Sequence, residues 1–520
     1  MRIMLIRPRP SRETIGLQHV MICEPLELEY LCSGIGDLGH ETMIVDMILE
    51  KAGIEKFLLE FQPDVLGITG YITHVGIIKE YCRKAKELLP DCHTIVGGVH
   101  AEVVPWDFED ECVDFVVSSN GIASFRQIVT ALSDGEDAGQ VPGLWSQGHP
   151  PCEKATAFDH PFPDRNKVQR YRSKYYYLFH NPCALVKTSF GCPYSCEFCF
   201  CREITGGRYS ERSVDSVIDE LKTIPEKDIY IVDDNFLVSR DRVLEFCRRL
   251  EAENLDKKFL IYGRADFIAA NEDVIAEFKR RGLRAVIVGL ESCKGNELEA
   301  YNKKNDVAAN EKAVRVLSEN GIDCYATLIL GMDWSRTDFR RLGRWLRSLK
   351  LTFINLQPFT PLPGTAMLAK YKDGLIVPRE EYEKWDLAHL VLAPAKMSAA
   401  RYYWHIIRLY YGVTMRPVNL IKLLIKHGPA ENLRMLLGSS RVTFQYLRRM
   451  FRSWMSSWKE NPPPHIREVG GVAPARHRAC SGAGASLPAD AEAGVPPVGA
   501  QRHAQGGVIP RKMTGSLENE

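Results

Sequence analysis

Long hydrophobic runs are missing from this 520-residue chain. Nowhere do about 18 uncharged apolar residues follow one another, so no membrane-spanning helix is expected. An excess of one charge is missing too. The 67 Lys and Arg against 66 Asp and Glu leave a net charge of +1, which argues against a broad nucleic-acid-binding surface. Cysteine is sparse: 15 residues over this length fall well below the density of a secreted disulfide scaffold. The opening residues Met1-Arg2-Ile3-Met4-Leu5-Ile6-Arg7-Pro8 charge too soon to read as a signal peptide and instead suggest a buried strand. A cytoplasmic protein with reduced thiols is therefore expected, and clustered cysteines there point to metal or redox chemistry.

What is present is a long alternation of strand and helix. Strand patterns occur at 3–7, 41–45, 65–69, 94–96 and 115–117, with helical spacing at 27–38, 53–61 and 75–89 between them. This predicts a doubly wound parallel sheet over residues 1–140, with ligands at the carboxyl ends of its strands near 8–12, 70–74 and 97–100. Prolines 142, 150, 151, 161 and 163 mark 141–177 as a linker. Six further strands, at 184–188, 229–232, 260–263, 285–289, 325–330 and 353–358, alternate with charged amphipathic helices. They predict a partial (β/α)6 barrel over 178–385. Residues 386–460 read as helical, and 461–520 as a disordered tail rich in Pro, Gly and Ala.

The chemistry concentrates after the first barrel strand, in Cys192-Pro-Tyr-Ser-Cys196-Glu-Phe-Cys199. Three thiolates at this spacing can converge on one face of a loop, as in iron–sulfur sites, leaving one iron of a four-iron cluster open. A structural zinc site is the alternative. It needs a fourth ligand such as Cys201 or Cys183, and no second CxxC supplies the usual paired half.

The segment Ser189–Cys199, with Phe198 before the last cysteine, resembles the hallmark of the radical S-adenosylmethionine enzymes. The resemblance implies a [4Fe-4S] cluster on Cys192, Cys196 and Cys199, with S-adenosylmethionine chelating the open iron and Phe198 near its adenine. Asp233 and Asp234, closing the next strand, lie where the family contacts the methionine amino group. Their Asp-Asp form is similar to the subgroup that carries an N-terminal cobalamin domain. Arg264 is implied as a partner of the methionine carboxylate and Glu291 as a contact to ribose or methionine. Gly289 would allow a close backbone approach, and Thr360–Thr365 resembles the turn after the sixth strand.

Upstream, Pro25–Tyr30, Gly39–Asp46, Gly67–Thr69 and Ile95–His100 resemble the cobalamin-binding domain of that subgroup. Thr69, Gly97 and Gly98 are the cofactor contacts this implies; glycines at a strand end admit a large ligand. A plain nucleotide-binding sheet is the alternative. The histidine motif that ligates cobalt in other cobalamin proteins is missing after the first strand, and Asp91-Cys92-His93 lies on the wrong edge of the sheet. The lower face of cobalt is thus left to solvent or to Tyr71 or His74, with His74 favoured as a helix cap. Ser118–Ile122 replaces an acidic, glycine-rich stretch of many relatives and leaves those cofactor contacts open.

Residues 401–459 hold eleven Lys or Arg against Glu431 alone, interleaved with Tyr and Trp. A capping helical layer with a solvated basic face is the simpler reading; peripheral contact with an anionic membrane is the other. The whole pattern resembles cobalamin-dependent radical S-adenosylmethionine methyltransferases, the hopanoid-methylating members among them, without fixing the substrate. It implies C-methylation of an unactivated carbon on a hydrophobic or lipid-like small molecule. One S-adenosylmethionine would methylate cobalamin, and a second would yield the 5′-deoxyadenosyl radical. An electron donor such as flavodoxin or ferredoxin would drive the cleavage, and no nucleic acid is involved. A non-methylating relative (a ring-forming cyclase or a lipid-coupling enzyme) and a cobalamin or redox sensor without turnover are the alternatives.

Overall fold

The apolar strand runs build two parallel sheets, each covered by the helices between its strands. The computed structural model describes residues 1–16, 19–147 and 160–460. The tail expected over 461–520 and part of the expected linker, 148–159, lie outside the described residues.

The first sheet contains β1 (Arg2–Arg7), β2 (Glu41–Asp46), β3 (Val65–Thr69), β4 (His93–Gly97) and β5 (Phe115–Val116), in the order β2-β1-β3-β4-β5. All pairings are parallel. The amphipathic helices α1 (Leu26–Gly34), α2 (Ile54–Phe61), α3 (Val75–Leu88) and α4 (Gly121–Asp134) return the chain. Strand alternation splits β1: Met4 and Ile6 pack with Phe57, Leu58 and Ile78, whereas Ile3 and Leu5 pack with Leu28, Phe125 and Ile128. The chain runs outward in opposite directions from β1 and β3, so a ligand crevice opens at their carboxyl ends.

The second sheet contains β6 (Cys183–Val186), β7 (Asp228–Ile231), β8 (Lys258–Gly263), β9 (Leu283–Glu291), β10 (Asp323–Leu330) and β11 (Phe353–Pro358). They pair in chain order and in parallel, and β6 does not pair with β11, which gives an open partial barrel. Cys183, Leu185, Tyr230, Leu260, Ala285, Ile287 and Tyr325 point inward. Their neighbours Ala184, Val186, Ile229, Ile231, Phe259, Ile261, Val286 and Val288 pack outward. That outer core includes α5 (Val214–Thr223), α6 (Arg240–Ala252), α7 (Glu272–Arg280), α8 (Val307–Glu319) and α9 (Arg336–Ser348). Ser213, Ser239, Asp306 and Ser335 accept first-turn N–H groups of α5, α6, α8 and α9. Such caps contribute about 1 kcal/mol each. Helices α10 (Ala399–Val413), α11 (Pro417–Lys426) and α12 (Pro429–Glu460) follow the barrel.

Residues 160–177 are more ordered than their prolines suggest, because Val168, Tyr171 and Tyr175 are buried against the first sheet. Arg165 from this segment bonds Glu24 (2.6 Å) and Glu29 (3.4 Å) of the first half and Glu220 (2.6 Å) of the second. Arg172 joins Glu24 to Glu226, and Arg212 also pairs with Glu220. Burial pushes the Glu24 and Glu29 carboxyls up, while Arg165 opposes the shift. Removing one member of such a network leaves a buried charge without its counterpart, at a cost of about 3–5 kcal/mol.

Candidate active site

The cysteine loop is mounted on a short antiparallel ribbon, Ser189–Phe190 against Ser210–Glu211. Gly191 turns out of it at φ +73°, where a Cβ would lie 2.0 Å from the Arg208 carbonyl oxygen, so a side chain cannot fit. The mount is fastened by Asp233 at the carboxyl end of β7. Its carboxylate accepts the Thr188 and Ser189 N–H groups at 2.6 and 3.0 Å, the Ser189 hydroxyl at 2.7 Å and the Thr188 hydroxyl. Burial pushes the Asp233 carboxyl up, and Lys187 with these donors pulls it back. Strand alternation turns Asp233 inward to the ribbon and leaves Asp234 lining the large cavity.

Cys192, Cys196, Cys199 and Cys201 are half-buried free thiols. Burial pushes the Cys192 thiol up to about 11, whereas a hydrogen bond with Cys201 holds Cys199 down at about 7. Burial also raises Cys196, against the pull of Lys303 and Arg264. Among the described residues no three His, Cys, Asp or Glu side chains gather as they would around a single metal ion.

Arg264 sits directly on this loop. Its guanidinium lies 3.7 Å from the Tyr194 ring centroid and donates to Cys196 Sγ at 3.9 Å and to the Lys303 carbonyl at 2.8 Å. Asp266 accepts from its Nε and Nη2 at 2.7–3.2 Å. The residue expected to meet a ligand carboxylate thus also holds the loop. Glu291 is likewise paired, with Lys303 Nζ at 2.8 Å, both side chains being buried. It stands at φ +57° beyond a register shift in β9, and the space that Gly289 leaves is taken by this ion pair. Phe198 packs edge-on against Tyr301 at 5.6 Å, with Lys303 Nζ 5.8 Å from its ring. Lys303 escaped the sequence reading because no local pattern ties it to Glu291, twelve residues earlier.

At the first sheet, Thr69, Gly97 and Gly98 form one edge of the same cavity. Gly98 has φ +97°, and a Cβ there would meet Thr69 Oγ1 at 2.3 Å; at Gly97 the nearest atom would be 3.7 Å away. The closing of two strand ends on each other thus requires glycine at 98. His74 accepts the Tyr71 N–H at Nδ1 (3.1 Å) and caps the turn; burial keeps it neutral, with its pKa down to about 4. Tyr71 instead projects into the cavity, 61% exposed. Ser119, Asn120 and Gly121, at the start of α4, line it as well. Glu27 of α1 also faces it, its carboxyl pushed up by burial and drawn back by Arg7.

One cavity of about 1030 Å³ joins these edges. Asp234 and Cys201 border it on the barrel side, Thr69, Tyr71 and Gly98 on the sheet side, and Tyr410, Met435 and Tyr446 of α10 and α12 on a third. The residues present fit the implied groups. Three thiols on one short loop lie beside the cations Arg264 and Lys303, which offset thiolate charge, and a glycine edge opens on a space large enough for a bulky ligand.

Residues 14–129 match the family profile described as B12 binding domain, and residues 186–346 that of the radical SAM superfamily. The chain is 26% identical over 416 residues to a hopanoid C-3 methylase of Methylococcus capsulatus, covering 78% of this chain and 79% of that one. It is 25% identical over 434 residues to an anaerobic magnesium-protoporphyrin IX monomethyl ester cyclase of Cereibacter sphaeroides, covering 76% and 68%. Its fold is similar to that of the radical S-adenosylmethionine methyltransferase TsrM from Kitasatospora setae, solved with cobalamin and a [4Fe-4S] cluster bound. The TM-score is 0.60 at 18% identity, over 80% of this chain and 89% of that one.

Proposed function

We propose that this chain, a radical SAM enzyme with an N-terminal B12 binding domain, transfers a methyl group to an unactivated carbon of an apolar, lipid-like small molecule. The observation that carries the proposal is the cavity bordered by Cys201 and Asp234, just past the cysteine loop, on one side and by the glycine edge of the first sheet on the other. Two cofactor sites that border one cavity can act on the same substrate carbon. Much of the remaining wall is apolar, with Ile204, Ile287, Phe353, Ile354 and Met415 among its residues, which suits a hydrophobic substrate. The hopanoid methylase relative agrees with that class of substrate.

Cys192, Cys196 and Cys199 are assigned as ligands of the [4Fe-4S] cluster, with Thr69, Gly97 and Gly98 at the cobalamin edge. When bound, the cluster and S-adenosylmethionine supply a carbon radical that removes a hydrogen atom, and cobalamin supplies the methyl group. The protein's share is to bind, orient and exclude water. Arg264 and Lys303 hold positive charge against the loop. Asp234, which faces the cavity while Asp233 does not, is assigned to S-adenosylmethionine. Arg264 and Glu291, expected at the methionine carboxylate and at the ribose or methionine, also hold the loop, through Cys196 and Lys303. Tyr71, not His74, is the side chain presented to cobalamin. An external one-electron donor such as flavodoxin or ferredoxin completes the system.

Comparison of small-molecule and lipid extracts from cells with and without the gene tests the proposal. A product heavier than its precursor by one CH₂ is expected. The cyclase relative favours a ring closure without methyl gain, and a product that lacks the added carbon would decide for it. A reduced, cluster-loaded protein that leaves S-adenosylmethionine uncleaved would point to a sensor.

A further inference from the structure

Helices α11 and α12 have one apolar face too many. Their inner faces already belong to the cavity, through Leu423, Met435, Val442 and Tyr446. Yet of the 23 exposed large hydrophobic side chains among the described residues, thirteen lie between Val418 and Met455. At about 100° per residue, Leu433, Leu437, Phe444, Leu447, Phe451 and Met455 fall within about one quarter of the α12 circumference. On α11, Val418, Ile421 and Ile425 add to this surface, Ile425 being 81% and Phe444 67% exposed. Scattered exposed leucines need no explanation, but a continuous stripe marks an interaction surface.

Charge selects the partner. Arg441, Arg448 and Arg452 run beside the α12 stripe, and Lys422 and Lys426 beside that of α11. Glu13 faces Arg448 and Arg452, and Asp323 faces Lys426, so the border stays net positive. A second copy of the chain would set one cationic row against another, with Glu431 as the only carboxylate between Arg401 and Lys459. Residues 461–520, without a single aromatic residue, offer little apolar surface to cover the stripe. An anionic bilayer matches both features: acyl chains for the stripe and headgroup phosphates for its border. The stripe also meets the cavity, because Leu420 and Leu436 line it and are 38% and 52% exposed.

We propose that α11 and α12 form a docking surface for an anionic lipid bilayer, which places the Leu420–Leu436 side of the cavity against the membrane. This deepens the functional reading, resting on it for the choice of an apolar substrate but not for docking itself.

The test is co-sedimentation of the full-length holoenzyme with vesicles of phosphatidylcholine alone or mixed with phosphatidylglycerol. Binding to the mixed vesicles only is expected. Phe444→Asp with Phe451→Asp should lower the partition coefficient roughly tenfold or more, and Arg441→Gln about fivefold. Both variants should keep the unfolding midpoint and the cleavage of S-adenosylmethionine. Emission from Trp454 should shift to the blue on binding, and Trp454→Phe should remove that part of the shift. The proposal is overturned by absence of binding to either vesicle, by binding indifferent to the double substitution, or by a lipid-free dimer that the same substitution dissolves. A protein that docks but does not cleave S-adenosylmethionine overturns the functional reading alone; one that cleaves but does not dock overturns only this inference.

Discussion

The two edges of the cavity solve the problem of holding a cofactor in opposite ways. At the barrel edge the loop is fastened by charge: Asp233 takes four donors, Arg264 spans Tyr194, Cys196 and Lys303, and Lys303 pairs with Glu291. At the sheet edge the decisive feature is missing bulk, with Gly98 folded onto Thr69 and no ion pair spanning that contact. The difference follows from the ligands each edge is read to take. A small cluster on three thiolates brings negative charge to fixed points and calls for rigid cations. A large ligand that binds by shape calls for room. Substitutions should therefore fail differently at the two edges.

The largest effect is expected at the thiols. Cys192→Ala, Cys196→Ala or Cys199→Ala should each abolish the iron content, the cluster absorbance and S-adenosylmethionine cleavage, with cobalamin retention intact. A cluster that survives all three would break the comparison at its root. Next comes Asp233→Ala, which strands two N–H groups and two hydroxyls in a buried place, at a cost of about 3–5 kcal/mol read by denaturant unfolding. Asp234→Ala should leave stability within about 1 kcal/mol of wild type and slow the cleavage instead. Equal stability losses at both positions would show that the two aspartates do not divide the work.

The division between those aspartates was not legible in the sequence. A spacing of one residue at a strand end reverses the direction of the side chain, and only the register of β7 decides which one meets the ribbon. The need for glycine at 98 was legible because its reason is local, and the cysteine spacing over 192–199 is a local signal of the same kind. Lys303 was not, since its partner lies across a loop. Nor was the order of residues 160–177, where prolines suggested a loose connection and Tyr171 and Tyr175 proved to be core.

A smaller effect is expected at the sheet edge. Gly98→Ala forces a Cβ onto Thr69 Oγ1 at a positive φ and should cost about 1–3 kcal/mol. Cobalamin should be lost on gel filtration while the cluster absorbance persists. The smallest concerns His74. At neutral pH His74→Gln should cost about 1 kcal/mol or less, as loss of a cap does. As pH falls from 6.5 towards 4, the unfolded chain binds a proton that the folded His74 refuses, so wild-type stability declines through that window. The variant should lack this part of the decline, and its cobalamin spectrum should match the wild type.

The buried charges Glu24, Glu29, Arg165, Arg172, Glu220 and Glu226 lead to a last point. Arg165 and Arg172, on the segment packed against the first sheet, pair with Glu24 and Glu29 there and reach Glu220 and Glu226 of the second half, where Glu220 also keeps Arg212. Either half produced alone would lose the two crossing pairs, Arg165 with Glu220 and Arg172 with Glu226. The two sheets are therefore one cooperative folding unit rather than interchangeable modules, and the span between their cofactor edges is fixed when the chain folds, not when substrate arrives.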